Sequence, residues 1–125
     1  MEIQKKKILL VDDHPLVRQG VRLMLEGAYE ICGEASDGQE GVAQAAKLRP
    51  DLVILDMTMP VMNGIEAARE IRRLLPATKI LLLSMHDSPR LFAEAFAAGV
   101  DRAVAKASPS EELIAAIEEL LQSAR

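Results

Sequence analysis

The sequence predicts an α/β fold, a doubly wound parallel sheet with helices on both faces. Three observations lead there. Short apolar runs of strand length alternate with helical patterns, which is the signature of repeated βα units. The run Leu52-Val53-Ile54-Leu55 is apolar throughout and does not alternate, as expected of a strand buried on both faces. Four of the runs also end on polar residues: Val11 leads into Asp12-Asp13, Leu55 into Asp56, Leu83 into Ser84 and Ala105 into Lys106. In an open α/β sheet such residues gather along the edge where these folds bind ligands.

The elements follow in order. Strands are expected near residues 7–12, 29–35, 51–55, 79–83 and 102–105, each followed by a helix. Pro15 suits the first turn of helix one, whose inward face carries Val17, Val21, Met24 and Leu25 before Gly27 stops it. Asp37, with Glu40 three residues on, caps helix two ahead of Val42, Ala45, Ala46 and Leu48, and Pro50 closes it. Asn63-Gly64 opens helix three, which turns Ile65, Ala68, Ile71 and Leu75 inward and ends at Pro76. Ser88-Pro89 and Ser108-Pro109 repeat one device, a hydroxyl N-cap followed by proline at the first helical position. The last helix adds Glu111 at the capping-box position, then Leu113, Ile114, Ile117, Leu120 and Leu121.

The bulk properties narrow the function classes. The chain has 125 residues, half of them hydrophobic and about a quarter charged, which fits one compact domain spanning 1–125 and excludes disorder. A net charge of -4 argues against a nucleic-acid surface, and Lys5-Lys6-Lys7 reads as a solvated lead-in to the first strand. Cys32 is the only cysteine, so neither a disulfide framework nor a thiolate cluster is available, and it reads as a small core residue. No apolar run reaches membrane-spanning length and no signal-peptide core is present, so a cytoplasmic chain without membrane attachment is expected.

The strand-end residues carry the chemistry. Asp12, Asp13 and Asp56 would converge where strand order reverses, and each carboxylate there disfavours ionisation of the next. A magnesium ion resolves this, because it takes oxygen ligands and needs only one or two carboxylates alongside retained waters. Lys106 adds a compact positive charge able to pair with Asp56 or a phosphoryl oxygen, and the Ser84 hydroxyl can donate to another. Phosphoryl transfer needs positioning and electrostatic stabilisation above all, which makes Asp56 the candidate nucleophile, forming an acyl phosphate. Met57, Met59 and Met62 cluster nearby and read as apolar packing around Pro60, not as a thioether site.

The pattern Asp12-Asp13, Asp56-Met57-Thr58-Met59-Pro60, Gly64, Ser84 and Lys106 resembles the receiver domain of two-component response regulators, over about residues 7–123. The resemblance implies a flavodoxin-like (βα)5 fold with strand order 2-1-3-4-5. It implies phosphorylation of Asp56 by a partner histidine kinase or phosphotransfer protein, with Mg2+ as cofactor. Asp13 and Asp56 would ligate the ion directly, the Thr58 main-chain carbonyl would add a third oxygen, and Asp12 would act through water. Ser84 and Lys106 would hold the phosphoryl oxygens. Such a domain is a phosphoacceptor that assists its own phosphorylation and dephosphorylation, and is not otherwise an enzyme. Asp12-Asp13-His14-Pro15 and Leu83-Ser84-Met85-His86-Asp87 are similar to the NarL/LuxR-type subfamily, whose members usually carry a C-terminal helix-turn-helix domain. This chain shows no such output domain, so contact with DNA is expected only through a domain it lacks, and the expected reading is an excised receiver domain of a transcription factor, with a natural single-domain regulator as the alternative. A homodimer is also compatible with the family. His14 reads as a helix-start residue; His86 reads either as bordering the site, where it would control water access, or as solvated.

One position departs from the family. Three residues before the lysine the family usually has an aromatic side chain that turns inward when the domain is phosphorylated, and here that position is Ala103. The switch is therefore expected in the segment 85–99, through repacking of Phe92 and Phe96. Three rival readings stand beside this one. A haloacid-dehalogenase-type phosphohydrolase would need an aspartate where Thr58 stands. A flavin-binding module would need a Ser/Thr/Gly-rich phosphate loop where Asp12-Asp13 stand. A degenerate receiver would act as a phosphorylation-independent interaction module.

Overall fold

The computed structural model describes residues 4–85 and 88–122. Five strands, β1 (Lys7–Val11), β2 (Glu30–Ala35), β3 (Leu52–Asp56), β4 (Lys79–Ser84) and β5 (Arg102–Ala105), alternate with five helices. The helices are α1 (Pro15–Leu25), α2 (Gly38–Leu48), α3 (Gly64–Leu74), α4 (Pro89–Ala97) and α5 (Ser110–Gln122). All strand pairs are parallel, in the order β2-β1-β3-β4-β5. This is the flavodoxin-like topology expected, and β1 and β3 adjoin where the strand order reverses.

Every residue of β3 is buried, because both faces of the sheet are covered. On one face Leu9, Val11, Val53, Leu55, Ile80 and Leu82 pack with Ala45 of α2, Ala67, Ala68 and Ile71 of α3, and Ala95 of α4. On the other, Ile8, Leu10, Leu52, Ile54, Leu81 and Leu83 pack with Val21 and Leu25 of α1 and with Leu113, Ile117 and Leu120 of α5. Cys32 is the extra residue of a bulge between β1 and β2, since Ile8 pairs with Ile31 and Leu9 with Gly33. It packs at the core edge, where burial raises its thiol pKa, as suits a structural residue.

Local signals set the helix starts. Asp37 Oδ1 accepts from Glu40 N (2.8 Å), and the Glu40 carboxylate bonds Ser36 N (3.1 Å). Asn63 and Glu66 form a complete capping box at 2.9 and 3.0 Å. Ser88 Oγ caps α4 by accepting from Leu91 N, with Pro89 in the first turn. Three expectations are corrected. Helix α5 begins at Ser110, so Pro109 precedes the helix and its carbonyl accepts from Glu112 N (3.0 Å). Ala46 is exposed, because an 11-residue helix leaning on α3 and the sheet buries Ala45 and turns its neighbour about 100° outward. Met24 lies at the rim of α1 and not inside it. Among the described residues no helix is long and apolar enough to cross a membrane.

Candidate functional site

Four strand ends, those of β1, β3, β4 and β5, and the start of α1 converge at the C-terminal edge of the sheet. Asp56, the last residue of β3, is only 1% exposed. Asp12 follows β1 directly and is buried as well, its main-chain N–H tied to Ala35 O of β2 (3.0 Å). Lys106 follows β5, with its N–H bonded to Ser84 O (2.7 Å). Its ammonium lies 3.0 Å from Asp56 Oδ1 and 3.2 Å from Asp12 Oδ2. Ser84 ends β4 one residue beyond Leu83, the register partner of Asp56, and its hydroxyl rests 3.8 Å from Met57 Sδ. Asp13 is partly exposed beside them.

The loop after β3 is held close by two glycines. A Cβ on Gly64 would stand 2.4 Å from the Asp56 carbonyl oxygen, and one on Gly38 would stand 2.1 Å from the Met62 carbonyl oxygen. Only glycine lets the starts of α2 and α3 come this near the acceptor strand. Inside the loop Met62 N bonds Pro60 O (2.7 Å) around Val61, whose φ is 69°. That is a γ-turn with positive φ, rare for any residue and strained for a β-branched one. Met59 is buried in the core and Met57 and Met62 pack against it, the apolar role expected of all three.

The electrostatics follow from crowding. Burial raises the pKa of Asp56; the Lys106 hydrogen bond opposes this and the neighbouring Asp12 charge adds to it. Burial works against the Lys106 ammonium, yet its pairs with Asp56 and Asp12 outweigh this and hold its pKa above the ordinary lysine value. Lys106 nevertheless pairs with only two of the three aspartates. Asp13 Oδ1 and Asp56 Oδ2 are shut off from solvent with no hydrogen-bond partner, and Asp12 Oδ2 has only the Lys106 ammonium at 3.2 Å. Oxygens left in that condition fit a divalent cation, which needs no donated proton to engage them.

His14 does more than start a helix. It occupies the N-cap position of α1, yet its side chain makes no capping bond. Its Nδ1 lies instead 2.9 Å from Asp12 Oδ1, 3.0 Å from Asp13 Oδ1 and 3.6 Å from Asp56 Oδ2. Arg18 was also missed by pattern reading. It donates to the Asp12 carbonyl (2.5 Å) and joins Arg22 on Glu34, fastening α1 to β2 behind the site. Thr58 is exposed, and its main-chain amide is among the groups that hold the Asp56 pKa down against burial. Ala103 points into the α3/α4 side of the core, half-buried, with Phe92 partly buried and Phe96 half exposed on α4. His86 and Asp87 lie outside the described residues.

A parallel 2-1-3-4-5 sheet with Asp12, Asp13, Asp56 and Lys106 gathered along one edge defines the class, an α/β domain with an acidic pocket at the ends of its strands. The family model for the response regulator receiver domain matches residues 8–118, and the chain belongs to that family. It is 39% identical over 119 residues to the uncharacterized transcriptional regulatory protein YxjL of Bacillus subtilis, a match that takes in 94% of this chain and 55% of that one. The crystal structure of a LuxR-family two-component response regulator from Aurantimonas superposes with a TM-score of 0.91 at 40% identity, covering 98% of this chain and 89% of the other. The receiver domain of the putative regulator NarL from Mycobacterium tuberculosis gives 0.89 at 34% identity, covering 97% and 99%. The relatives are of the NarL/LuxR type. The chain spans about half the length of the curated relatives it matches.

Proposed function

We propose that the chain is the Mg2+-dependent phosphoacceptor domain of a cytoplasmic two-component regulator, phosphorylated on Asp56 by a histidine kinase or phosphotransfer protein. The observation that carries this reading is the buried Asp56 carboxylate, with one oxygen on Lys106 and the other without a hydrogen-bond partner among further carboxylates. Asp13, Asp56 and the Thr58 carbonyl would hold the ion, with Asp12 acting through water. When bound, the ion supplies charge neutralisation that lets a phosphoryl group approach three carboxylates.

The chain's own residues do the remainder. An Asp56 carboxylate oxygen forms a bond to phosphorus while the P–N bond of a phosphohistidine breaks, and the imidazole leaves with the electron pair and takes up a proton. Lys106 already touches Asp56 and can follow the negative charge onto the phosphoryl oxygens; Ser84 is the proposed hydroxyl donor to another. The domain thus assists its own phosphorylation and later hydrolysis without a separate substrate to turn over. The gained charge of about -1.5 to -2 then shifts a two-state equilibrium. With alanine at position 103, that shift is proposed to run through 85–99, where Phe92 and Phe96 repack. Two relatives are named as transcriptional regulatory proteins, which supports control of a DNA-binding output domain in the whole protein. A second copy of the chain is proposed as a further partner, with exposed Leu16 and Leu23 of α1 as the apolar surface it would cover.

Incubation with acetyl phosphate and Mg2+ followed by intact mass measurement tests the reading. One added phosphoryl group that disappears in Asp56→Asn is the expected result. No gain in the folded wild-type chain would overturn it in favour of the phosphorylation-independent interaction module.

A further inference from the structure

Several local features fix where His14 stands. Proline at position 15 restricts the residue before it to extended backbone, and His14 has φ -98° and ψ 105°. Asp12 Oδ1 accepts from His14 N at 2.8 Å, an Asx-turn that folds the chain back over the strand end. The imidazole is thereby laid across the acidic edge, about half exposed, with Nδ1 turned toward the three aspartates.

Hydrogen bonding accounts for only part of that contact. One proton on Nδ1 can serve one acceptor, and Asp12 Oδ1 takes it at 2.9 Å. Asp13 Oδ1 lies equally near, at 3.0 Å, yet has no hydrogen-bond partner, and neither has Asp56 Oδ2. Adjacent ligands of a six-coordinate ion with bonds of about 2.1 Å stand about 3.0 Å apart. The 3.0 Å from Nδ1 to Asp13 Oδ1 matches that spacing, and 3.6 Å to Asp56 Oδ2 is within a small side-chain adjustment of it. The four donor atoms from Asp12, Asp13, His14 and Asp56 all lie within 4.8 Å of one another.

We propose that His14 is a nitrogen ligand of the cation pocket, making it a mixed nitrogen and oxygen site that binds borderline ions such as Mn2+ and Co2+ more tightly than Mg2+. This rests on reading the acidic pocket as a cation site. Imidazole suits first-row transition ions, whereas Mg2+ is served by the oxygens alone. Coordination uses the Nδ1 lone pair, with the ring proton held on Nε2, and the backbone geometry set by Pro15 and Asp12 is unchanged.

The test uses the full, untagged chain freed of metal by chelation, as wild type, His14→Ala, His14→Gln and His86→Gln, the last removing the only other histidine. Calorimetric titration with Mg2+, Mn2+ and Co2+ gives affinities, and pulsed EPR of the Mn2+-loaded protein detects a coordinated imidazole nitrogen directly. The wild type and His86→Gln are expected to show the nitrogen modulation, and both His14 variants to lose it. Loss of His14 should weaken Mn2+ and Co2+ by at least about tenfold, the lower end of what even an indirect ligand partner contributes. Mg2+ affinity should stay within about twofold, since its oxygens remain. A wild type that binds Mg2+ and Mn2+ without nitrogen modulation overturns the proposal and leaves the phosphoacceptor reading standing. An equal weakening of all three ions, or a tightening of all three, also overturns it, because the imidazole would then be a positioning group or an obstruction. A folded wild type that binds no divalent ion overturns both readings.

Discussion

Two charged clusters sit at opposite ends of the same sheet, and they are built on opposite principles. At the edge where β4 and β5 begin, Arg72 of α3 spends all five of its guanidinium donors: two on Gly99 O, one each on Pro76 O and Thr78 O, and one on Asp101 Oδ2. Asp101 Oδ2 also accepts from Ile80 N (2.8 Å), so the joint between α3, β4 and β5 is closed. At the other edge one lysine pairs with two of three aspartates, and the buried oxygens Asp13 Oδ1 and Asp56 Oδ2 have no hydrogen-bond partner. The first cluster is a structural joint that needs nothing more. The second holds unspent electrostatic free energy, as the proposed cation and phosphoryl site would require.

Breaking the closed joint should have the largest effect on stability and none on chemistry. Arg72→Ala leaves three carbonyls and a carboxylate without their partner and should cost about 3 kcal/mol in urea unfolding, while phosphoryl uptake by the folded fraction is unchanged. A loss of uptake with stability intact would erase the distinction between the two ends.

The open cluster should respond to ligand instead. Mg2+ at a hundredfold excess over its dissociation constant should add about 2.7 kcal/mol, because the ion binds the folded cluster and not the unfolded chain. Equal melting temperatures in millimolar Mg2+ and in chelator would contradict an ion site. Asp56→Asn should behave inversely and raise the stability of the metal-free protein by about 1 kcal/mol, within the range over which neighbouring charges couple. Its pH dependence follows from the raised pKa of Asp56. A carboxyl whose folded pKa lies above its unfolded value contributes stability below the ordinary aspartate range, and that contribution is lost as pH rises through the raised value. The advantage of Asp56→Asn should therefore grow over that interval and level off above it, read as urea midpoints across a pH series. Glu34, held below the ordinary range by Arg22 and Arg18, has the opposite dependence but is common to both proteins and cancels.

The smallest effect belongs to the loop that frames the open cluster. Val61→Asn places a residue that tolerates positive φ where a β-branched one is strained, and should stabilise by about 0.5–1 kcal/mol without altering phosphoryl uptake. A destabilised Val61→Asn would show that the valine side chain, although exposed, does packing work there.

The two ends also differ in how far they could be read from the sequence. Asp12, Asp13, Asp56, Ser84 and Lys106 each follow a strand whose apolar run announces it, so topology alone collects them. Arg72 and Asp101 are 29 residues apart on elements whose local patterns carry no trace of the pairing. His14 was read as a helix start, which its backbone is; its side chain joins the pocket through an Asx-turn and a following proline, signals that fix backbone direction but not where a ring ends up. The bulge at Cys32 and the outward turn of Ala46 were hidden for a related reason, since pairing register and helix rotation are set by neighbours across space. The caps at Asp37, Asn63 and Ser88 were legible because capping is local.

The central claim is that the open cluster exists to receive a phosphoryl group on Asp56. Treating the protein with acetyl phosphate and Mg2+, reducing with borohydride and sequencing by tandem mass spectrometry locates the acyl phosphate, because reduction converts a phosphorylated aspartate to homoserine. Homoserine at position 56, and at neither 12 nor 13, is the predicted result. Conversion at another aspartate, or none in protein that is folded and binds Mg2+, would contradict it.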